Sequence, residues 1–176
     1  TGYRGEEFKK LTYKQLGKYE TEDLIATGKY LAGLPFIDAK RVGVWGWSYG
    51  GYMSSLAILK GSDVFSTAIA IAPVTTWRFY DSIYTERYLQ RPQDNASGYD
   101  DNSPIQFVDN LKGKFLLVHG TGDDNVHFQN SVTLQNGLIK AGKQFDSFYY
   151  PDKAHSLSGR RGHLYVMMAD FLLENL

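Results

Sequence analysis

Residues Arg41–Tyr52, RVGVWGWSYGGY, constrain the fold of this chain more than any other stretch. An apolar, β-rich run ends in Gly46-x-Ser48-x-Gly50, and a helical pattern begins at once. Met53 to Leu59, with Gly61 just beyond, read as that helix and its C-terminal stop. A buried strand that breaks at a glycine, projects a serine and turns straight into a helix is a nucleophile elbow. Chemistry needs this layout because a serine hydroxyl attacks well only when a tight turn aims it at both a base and an oxyanion site. Gly46 and Gly50 are expected where side chains would collide inside the turn. Ser48 is therefore the candidate nucleophile, against the plainer alternative of an ordinary glycine-rich turn.

The rest of the chain reads as strands alternating with helices. Thr1 to Glu20 form an irregular lead-in with a short helical turn near Glu6 to Leu11. Thr21 is expected to cap a helix that runs to Leu31 and stops at Gly33. The strand Val42 to Trp45 leads into the elbow. A second strand, Phe65 to Ala72, is apolar on both faces, as parallel strands covered on both sides are. From Val74 to Leu111 runs a long aromatic connection with a helix over Asp81 to Leu89 and breakers at Pro92, Gly98 and Pro104. Connections this long inside a compact domain tend to carry function.

A third strand, Lys114 to Val118, ends in the loop His119–Asn125. The pattern then predicts a helix over Gln129 to Lys140 that carries Val132, Leu134, Leu138 and Ile139 and stops at Gly142, and a strand over Phe145 to Tyr150. A last helix from Arg160 to Asn175 places Leu164, Met168, Phe171 and Leu172 on one stripe. This alternation predicts an α/β fold with a mainly parallel sheet, flanked by helices. Ligands of such sheets bind at the carboxyl ends of the strands, so the site is sought in the loops there.

With 176 residues and 43% hydrophobic side chains the chain is long enough for one domain with a sizeable core. Nineteen basic residues balance nineteen acidic ones without a basic run, which leaves no footprint for nucleic acid or an anionic membrane surface. The absence of cysteine excludes disulfides, thiolate metal sites and a cysteine nucleophile. No stretch approaches the roughly 18 apolar residues of a membrane span. No phosphate loop, G-x-G-x-x-G or EF-hand survives inspection, so neither cofactor nor metal is expected. The opening, TGYRGEE, lacks an initiating methionine, and a mature product or an excised piece is the expectation.

A serine hydroxyl needs an imidazole to take its proton and a carboxylate to orient that imidazole. In α/β-hydrolases the chain order is serine, acid, histidine. Asp123 or Asp124, after the third strand, and His155, after the fourth, satisfy that order. Asp123 is preferred because it lies nearer the strand end, although either carboxylate could merely cap the helix that follows. Of the other histidines, His119 is expected to make a structural hydrogen bond, and His127 and His163 to lie at helix starts.

Beyond these, GWSYGGY at Gly46–Tyr52, Ala72-Pro73-Val74, Trp77, Tyr80-Asp81-Ser82, YTERY at Tyr84–Tyr88 and HGTGDDNVHF at His119–Phe128 closely resemble the prolyl oligopeptidase family of serine peptidases, in its dipeptidyl-peptidase branch. The likeness covers nearly the whole chain. It implies an α/β-hydrolase domain with Ser48 as nucleophile, Asp123 as acid, His155 as base and the Tyr49 amide in the oxyanion hole. It further implies a proline pocket from Val74, Trp77, Tyr80, Tyr84 and Val126, with Asn125 holding the substrate backbone. The implied activity is release of Xaa-Pro or Xaa-Ala dipeptides from peptide N-termini, through an acyl-enzyme, in a periplasmic or extracellular setting. Many relatives have glycine where Ser156 follows His155.

The resemblance also implies what precedes this stretch in such enzymes: further strands, a loop with a second oxyanion donor and a β-propeller that grips the substrate's amino end. A domain truncated on that side would show an open hydrophobic edge at Val42 to Trp45, favouring self-association into homo-oligomers, and would have little activity alone. One missing oxyanion donor weakens transition-state binding by about 2.7 to 4 kcal/mol. An esterase or acylaminoacyl peptidase of the same fold, and a silent assembly domain, are the competing readings.

Overall fold

The structure, a computed structural model, describes residues 3–176, so Thr1 and Gly2 of the expected lead-in lie outside the described residues. Four parallel strands lie side by side in chain order: β1 (Gly43–Trp47), β2 (Thr67–Ile71), β3 (Lys114–Gly120) and β4 (Asp146–Tyr150). α1 (Glu6–Lys10) and α2 (Lys18–Ala32) precede them. α3 (Tyr49–Lys60) links β1 to β2, and α4 (Ser82–Leu89) and α5 (Ala96–Asp100) lie in the long connection to β3. α6 (Gln129–Lys140) returns to β4, and α7 (Arg161–Asn175) closes the chain. Among the described residues no helix is long and apolar enough to cross a membrane.

The two central strands hold the molecule together, and their unbroken apolar sequence has a simple cause. Successive side chains of a strand point to opposite faces. Ala68 and Ala70 of β2 and Phe115 and Leu117 of β3 pack against Ala57, Ile58, Leu134 and Leu138 on one face. Ile69, Ile71, Leu116 and Val118 pack against Leu164, Met168 and Phe171 on the other. Each large side chain buried this way stabilises the fold by about 1.5–3 kcal/mol. The outer strands are covered less: Trp45 on β1 is 52% exposed, and β4 is buried only toward Tyr150.

The carboxyl ends of the strands are stapled to one another in steps. The Ser48 N–H donates to Ile71 O (2.8 Å), the Ala72 N–H to Val118 O (2.7 Å) and the Thr121 N–H to Tyr150 O (2.9 Å). Each residue that leaves a strand is thus fixed by the next strand, so the loops that carry the chemistry start from rigid points.

Several sequence expectations shift. β1 continues through Gly46 to Trp47, and β3 takes in His119 and Gly120, because ladder pairing persists to Ile71 and Tyr150. Thr21 does not cap α2. The helix starts at Lys18 behind a left-handed Gly17, whose N–H donates to Glu20 Oε2 (3.1 Å), while Thr21 is buried and its hydroxyl donates to Gly17 O. Of the four apolar residues that α6 carries, Leu134 and Leu138 face inward. Val132 and Ile139 are exposed, and the polar Asn130 and Ser131 are buried instead. Gly46 is crowded as expected, since a Cβ there would lie 2.7 Å from Gly50 Cα. Gly50 is not, for a Cβ on it would meet nothing within 4 Å. The collision in the turn runs from Gly46 onto the Gly50 backbone, and not the reverse.

Candidate active site

Ser48 sits between β1 and α3 with φ 60° and ψ −116°, a backbone conformation that non-glycine residues rarely adopt. Such a residue stores about 1–3 kcal/mol and persists only where its surroundings fix it. Here the fixing comes from both sides: the N–H is held by β2, and the carbonyl accepts the Tyr52 N–H (3.0 Å) in the first turn of α3. The Ser48 side chain does not cap α3. Its hydroxyl has no other partner among the described residues, and the N-terminal amides of α3, Tyr49 first, remain available at the positive end of the helix.

Asp123 lies in the loop after β3 with its side chain fully buried, and all of its acceptor capacity is used. Oδ1 accepts the N–H groups of Asn125 (3.0 Å) and Val126 (2.9 Å). Oδ2 lies 2.8 Å from His155 Nδ1 and 3.1 Å from His119 Nε2. Burial alone would push this carboxyl up. The hydrogen bonds from His119, His155 and the Asn125 amide outweigh burial and hold it well below the usual carboxylate range. Asp124 makes no comparable contact among the described residues.

His155, whose side chain is 21% exposed, hangs in the loop between β4 and α7. That loop is tied to the elbow strand. The Trp47 indole N–H donates to His155 O (3.0 Å), the Arg161 guanidinium lies over the Trp47 ring at 5.7 Å, and Arg161 Nε–H donates to Ser156 O (3.0 Å).

Ser48, Tyr49, Val74, Trp77, Tyr80 and Tyr84 line one cavity of about 240 Å³. Its walls hold each other as an aromatic stack: Trp77 lies nearly parallel to Tyr84 at 5.8 Å, and Tyr80 meets both edge-on, at 5.9 Å from Trp77 and 5.2 Å from Tyr84. Tyr49 donates its hydroxyl to Glu20 Oε1 (2.6 Å), and burial, followed by the Glu20 charge, pushes that phenol well above its ordinary range, so it stays a neutral donor. Asn125 joins the wall through the Tyr80 hydroxyl, which donates to its Oδ1 at 2.7 Å. Val126 is placed differently from the expectation. It is fully buried beneath the cavity in the cluster of Trp77 and Val74, where its backbone braces Asp123 and His119. A larger depression of about 570 Å³ lies at the far edge of the sheet, between β4 and α7, and contains none of these residues.

Of the remaining histidines, His163 on α7 pairs with the Tyr150 hydroxyl (2.8 Å), and His127 lies in the turn before α6. His119 carries a network described below. Sequence reading missed Glu20, which it placed in the lead-in, and Ser131. The one available signal for Ser131 was the pair Asn130-Ser131, two polar residues where the helix pattern called for an inward face.

The sequence matches the description "Prolyl oligopeptidase family" over residues 1–176. The chain belongs to the prolyl oligopeptidase family, whose members are serine peptidases. It is 41% identical to dipeptidyl peptidase 4 of Bos taurus over 179 residues, a match that covers 99% of this chain and 23% of the relative. It is 42% identical to prolyl endopeptidase FAP of Homo sapiens over 178 residues, covering 99% of this chain and 23% of that protein. Among solved structures it superposes on dipeptidyl peptidase 4 of Porphyromonas gingivalis with a TM-score of 0.97 at 48% identity, covering all of this chain and 25% of that one. The four-stranded parallel sheet is therefore that of an α/β-hydrolase, and the chain spans about a quarter of the length of these relatives.

Proposed function

We propose that this chain is the catalytic part of a serine exopeptidase that releases N-terminal dipeptides with proline or alanine in second position. Ser48 is the nucleophile, His155 the base and Asp123 the acid that orients it. The observation that carries the reading is the Asp123 Oδ2 to His155 Nδ1 contact (2.8 Å), set beside a strained Ser48 that opens onto a small aromatic cavity.

In this reaction Ser48 Oγ attacks the carbonyl carbon after the substrate's second residue, and its proton passes to His155 Nε2. The oxyanion meets the Tyr49 N–H, one of the unpaired amides at the start of α3. His155 returns the proton to the leaving amine, which leaves an ester on Ser48, and water activated by the same imidazole then hydrolyses that ester. Tightening of the serine–imidazole contact on substrate binding is usual for such sites. A pyrrolidine ring is flat, apolar and without an N–H, and it suits a cavity walled by Trp77, Tyr80 and Tyr84. The names of the relatives support dipeptide release. Their greater length supports a further part of the protein that grips the substrate's amino end.

The test is mass spectrometry after treatment with a fluorophosphonate, followed by hydrolysis of Gly-Pro-p-nitroanilide and of a small ester. Adduct on Ser48 that is lost in His155→Ala, with Gly-Pro cleavage by the complete polypeptide, is the expected result. Ester cleavage without Gly-Pro cleavage would favour an esterase or acylaminoacyl peptidase. An unmodified Ser48 in the complete polypeptide would refute the triad and leave an assembly role.

A further inference from the structure

Asp123 Oδ2 faces two histidines, and only one of them belongs to the proposed triad. His119, near the end of β3, is fully buried. Its Nε2 lies 3.1 Å from Asp123 Oδ2 and 2.8 Å from Val126 O. Both neighbours are acceptors, so Nε2 carries the proton; a lone pair there would face a carboxylate and a carbonyl at once. Nδ1 lies 2.6 Å from Ser131 Oγ, which is buried on α6 and has no other partner among the described residues. The Ser131 hydroxyl therefore donates to Nδ1, which satisfies its own proton and fixes the Nε2–H tautomer. The ring is kept in this plane by Phe128, packed edge-on with centroids 5.6 Å apart.

We infer that His119, set by Ser131, is a positioning residue of the acid: its Nε2–H holds Asp123 Oδ2 where the Nδ1–H of His155 can meet it. This rests on the reading of Ser48, Asp123 and His155 as a triad. Two loop amides fix Oδ1 alone and leave the carboxylate to tilt about that anchor. Without His119, Oδ2 would be held only by the base it is supposed to orient, and that base sits on a separate, partly exposed loop. With His119, three donors from β3 and its following loop fix the carboxylate independently, and the remaining lone pair of Oδ2 is presented to His155. Orientation is then set from the rigid centre of the sheet outward.

The experiment uses the complete polypeptide with His119→Leu, His119→Gln, Ser131→Ala and Ser48→Ala. Gly-Pro-p-nitroanilide hydrolysis is measured per active site, with sites counted by stoichiometric fluorophosphonate labelling so that unfolded protein drops out. For His119→Leu, kcat per active site should fall between about tenfold and a hundredfold with little change in KM, as expected when a reacting group is misplaced by up to an ångström. His119→Gln, which can return an amide N–H to the Nε2 position, should recover most of the loss. Ser131→Ala removes one hydroxyl with little risk to folding, and it should lower kcat per site less than His119→Leu does, while ¹⁵N-histidine NMR shows Nε2 of His119 still protonated and the Nδ1 resonance moved to that of a lone pair without a donor. A purely structural His119 would lower the number of active sites and leave kcat per site unchanged in every variant, and that result overturns the inference. Hydrolysis that survives Ser48→Ala would instead overturn the triad reading, and this inference with it.

Discussion

The two glycines of the elbow should respond to alanine in opposite ways, although the motif treats them alike. At Gly46 an added Cβ would lie 2.7 Å from Gly50 Cα and nearer still to the Gly50 carbonyl. Tolerable contacts begin near 3.4 Å, so Gly46 and Gly50 must separate by at least 3.4 − 2.7 = 0.7 Å. Both partners are backbone, and neither yields easily. The neighbouring Ser48 N–H is tied to Ile71 O at 2.8 Å, and a Cβ on Gly51 would lie only 2.7 Å from that same oxygen, so the start of α3 is already pressed onto β2. Relief has to come from moving the elbow itself. Overpacking of this kind costs about 1–3 kcal/mol, and displacing a nucleophile and its oxyanion amide by most of an ångström costs roughly a hundredfold in rate.

Gly50 is open on its Cβ side and lies in the first turn of a helix. Alanine there should stabilise by about 0.5–1 kcal/mol through helix propensity and a less flexible unfolded chain. The assay is urea unfolding of the two variants alongside the rate of fluorophosphonate labelling at Ser48. Gly46→Ala should lower the midpoint and label about a hundred times more slowly; Gly50→Ala should hold or raise the midpoint and label near the parental rate. A Gly46→Ala protein with parental midpoint and labelling would refute the steric argument. So would a Gly50→Ala protein that unfolds early, for that would mean its side chain meets atoms other than those placed here.

Two further outcomes follow from the acid and from the cavity wall. Asp123→Asn should lower kcat by roughly 10⁴-fold, because an amide that donates to His155 selects the wrong tautomer. The same substitution should flatten acid unfolding. The folded carboxyl titrates below its unfolded value, so its contribution is complete above about pH 3.9 and is lost as pH falls through the lower folded value. Urea midpoints measured across that range should therefore fall with acid in the parent and fall less in the variant; equal slopes would contradict the assignment. Tyr80→Phe removes the hydroxyl that holds Asn125 Oδ1 at 2.7 Å while leaving the ring in the aromatic stack. KM for Gly-Pro-p-nitroanilide should rise several-fold, by about 1 kcal/mol for a lost hydrogen bond, with kcat largely kept. A change confined to kcat would argue against a wall role.

Much of this was legible in the sequence wherever one local rule governed. β2 and β3 read as strands because burial on both faces leaves no polar alternation, and α6 falls on Gln129–Lys140 as its pattern predicts. The placement of Ser48, Asp123 and His155 in the loops after β1, β3 and β4 could be read because each follows a strand. What escaped reading depends on partners far apart in the chain. Tyr49 and Glu20 are 29 residues apart, and His119 and Ser131 are 12 apart, and neither pair has a spacing signature. The start of α2 was misplaced because threonine is a common cap, whereas here Glu20 reaches back to Gly17 and supplies that function from inside the helix.

The sheet order poses a geometric problem that the elbow's own tryptophan answers. The serine leaves β1 at one edge and the histidine follows β4 at the other, so three strand spacings, about 14 Å, separate the two strand ends. A histidine side chain cannot span that gap, so the loop after β4 has to cross the carboxyl end of the sheet. Asp123, in the loop after β3, bonds the His155 imidazole on the way, but it cannot bring the loop's backbone to β1. Trp47 does so: its indole N–H reaches His155 O at 3.0 Å, and Arg161 clamps the other side by lying over the same ring while bonding Ser156 O. The residue before the proposed nucleophile thus ties the loop of the proposed base to the strand that leads into Ser48.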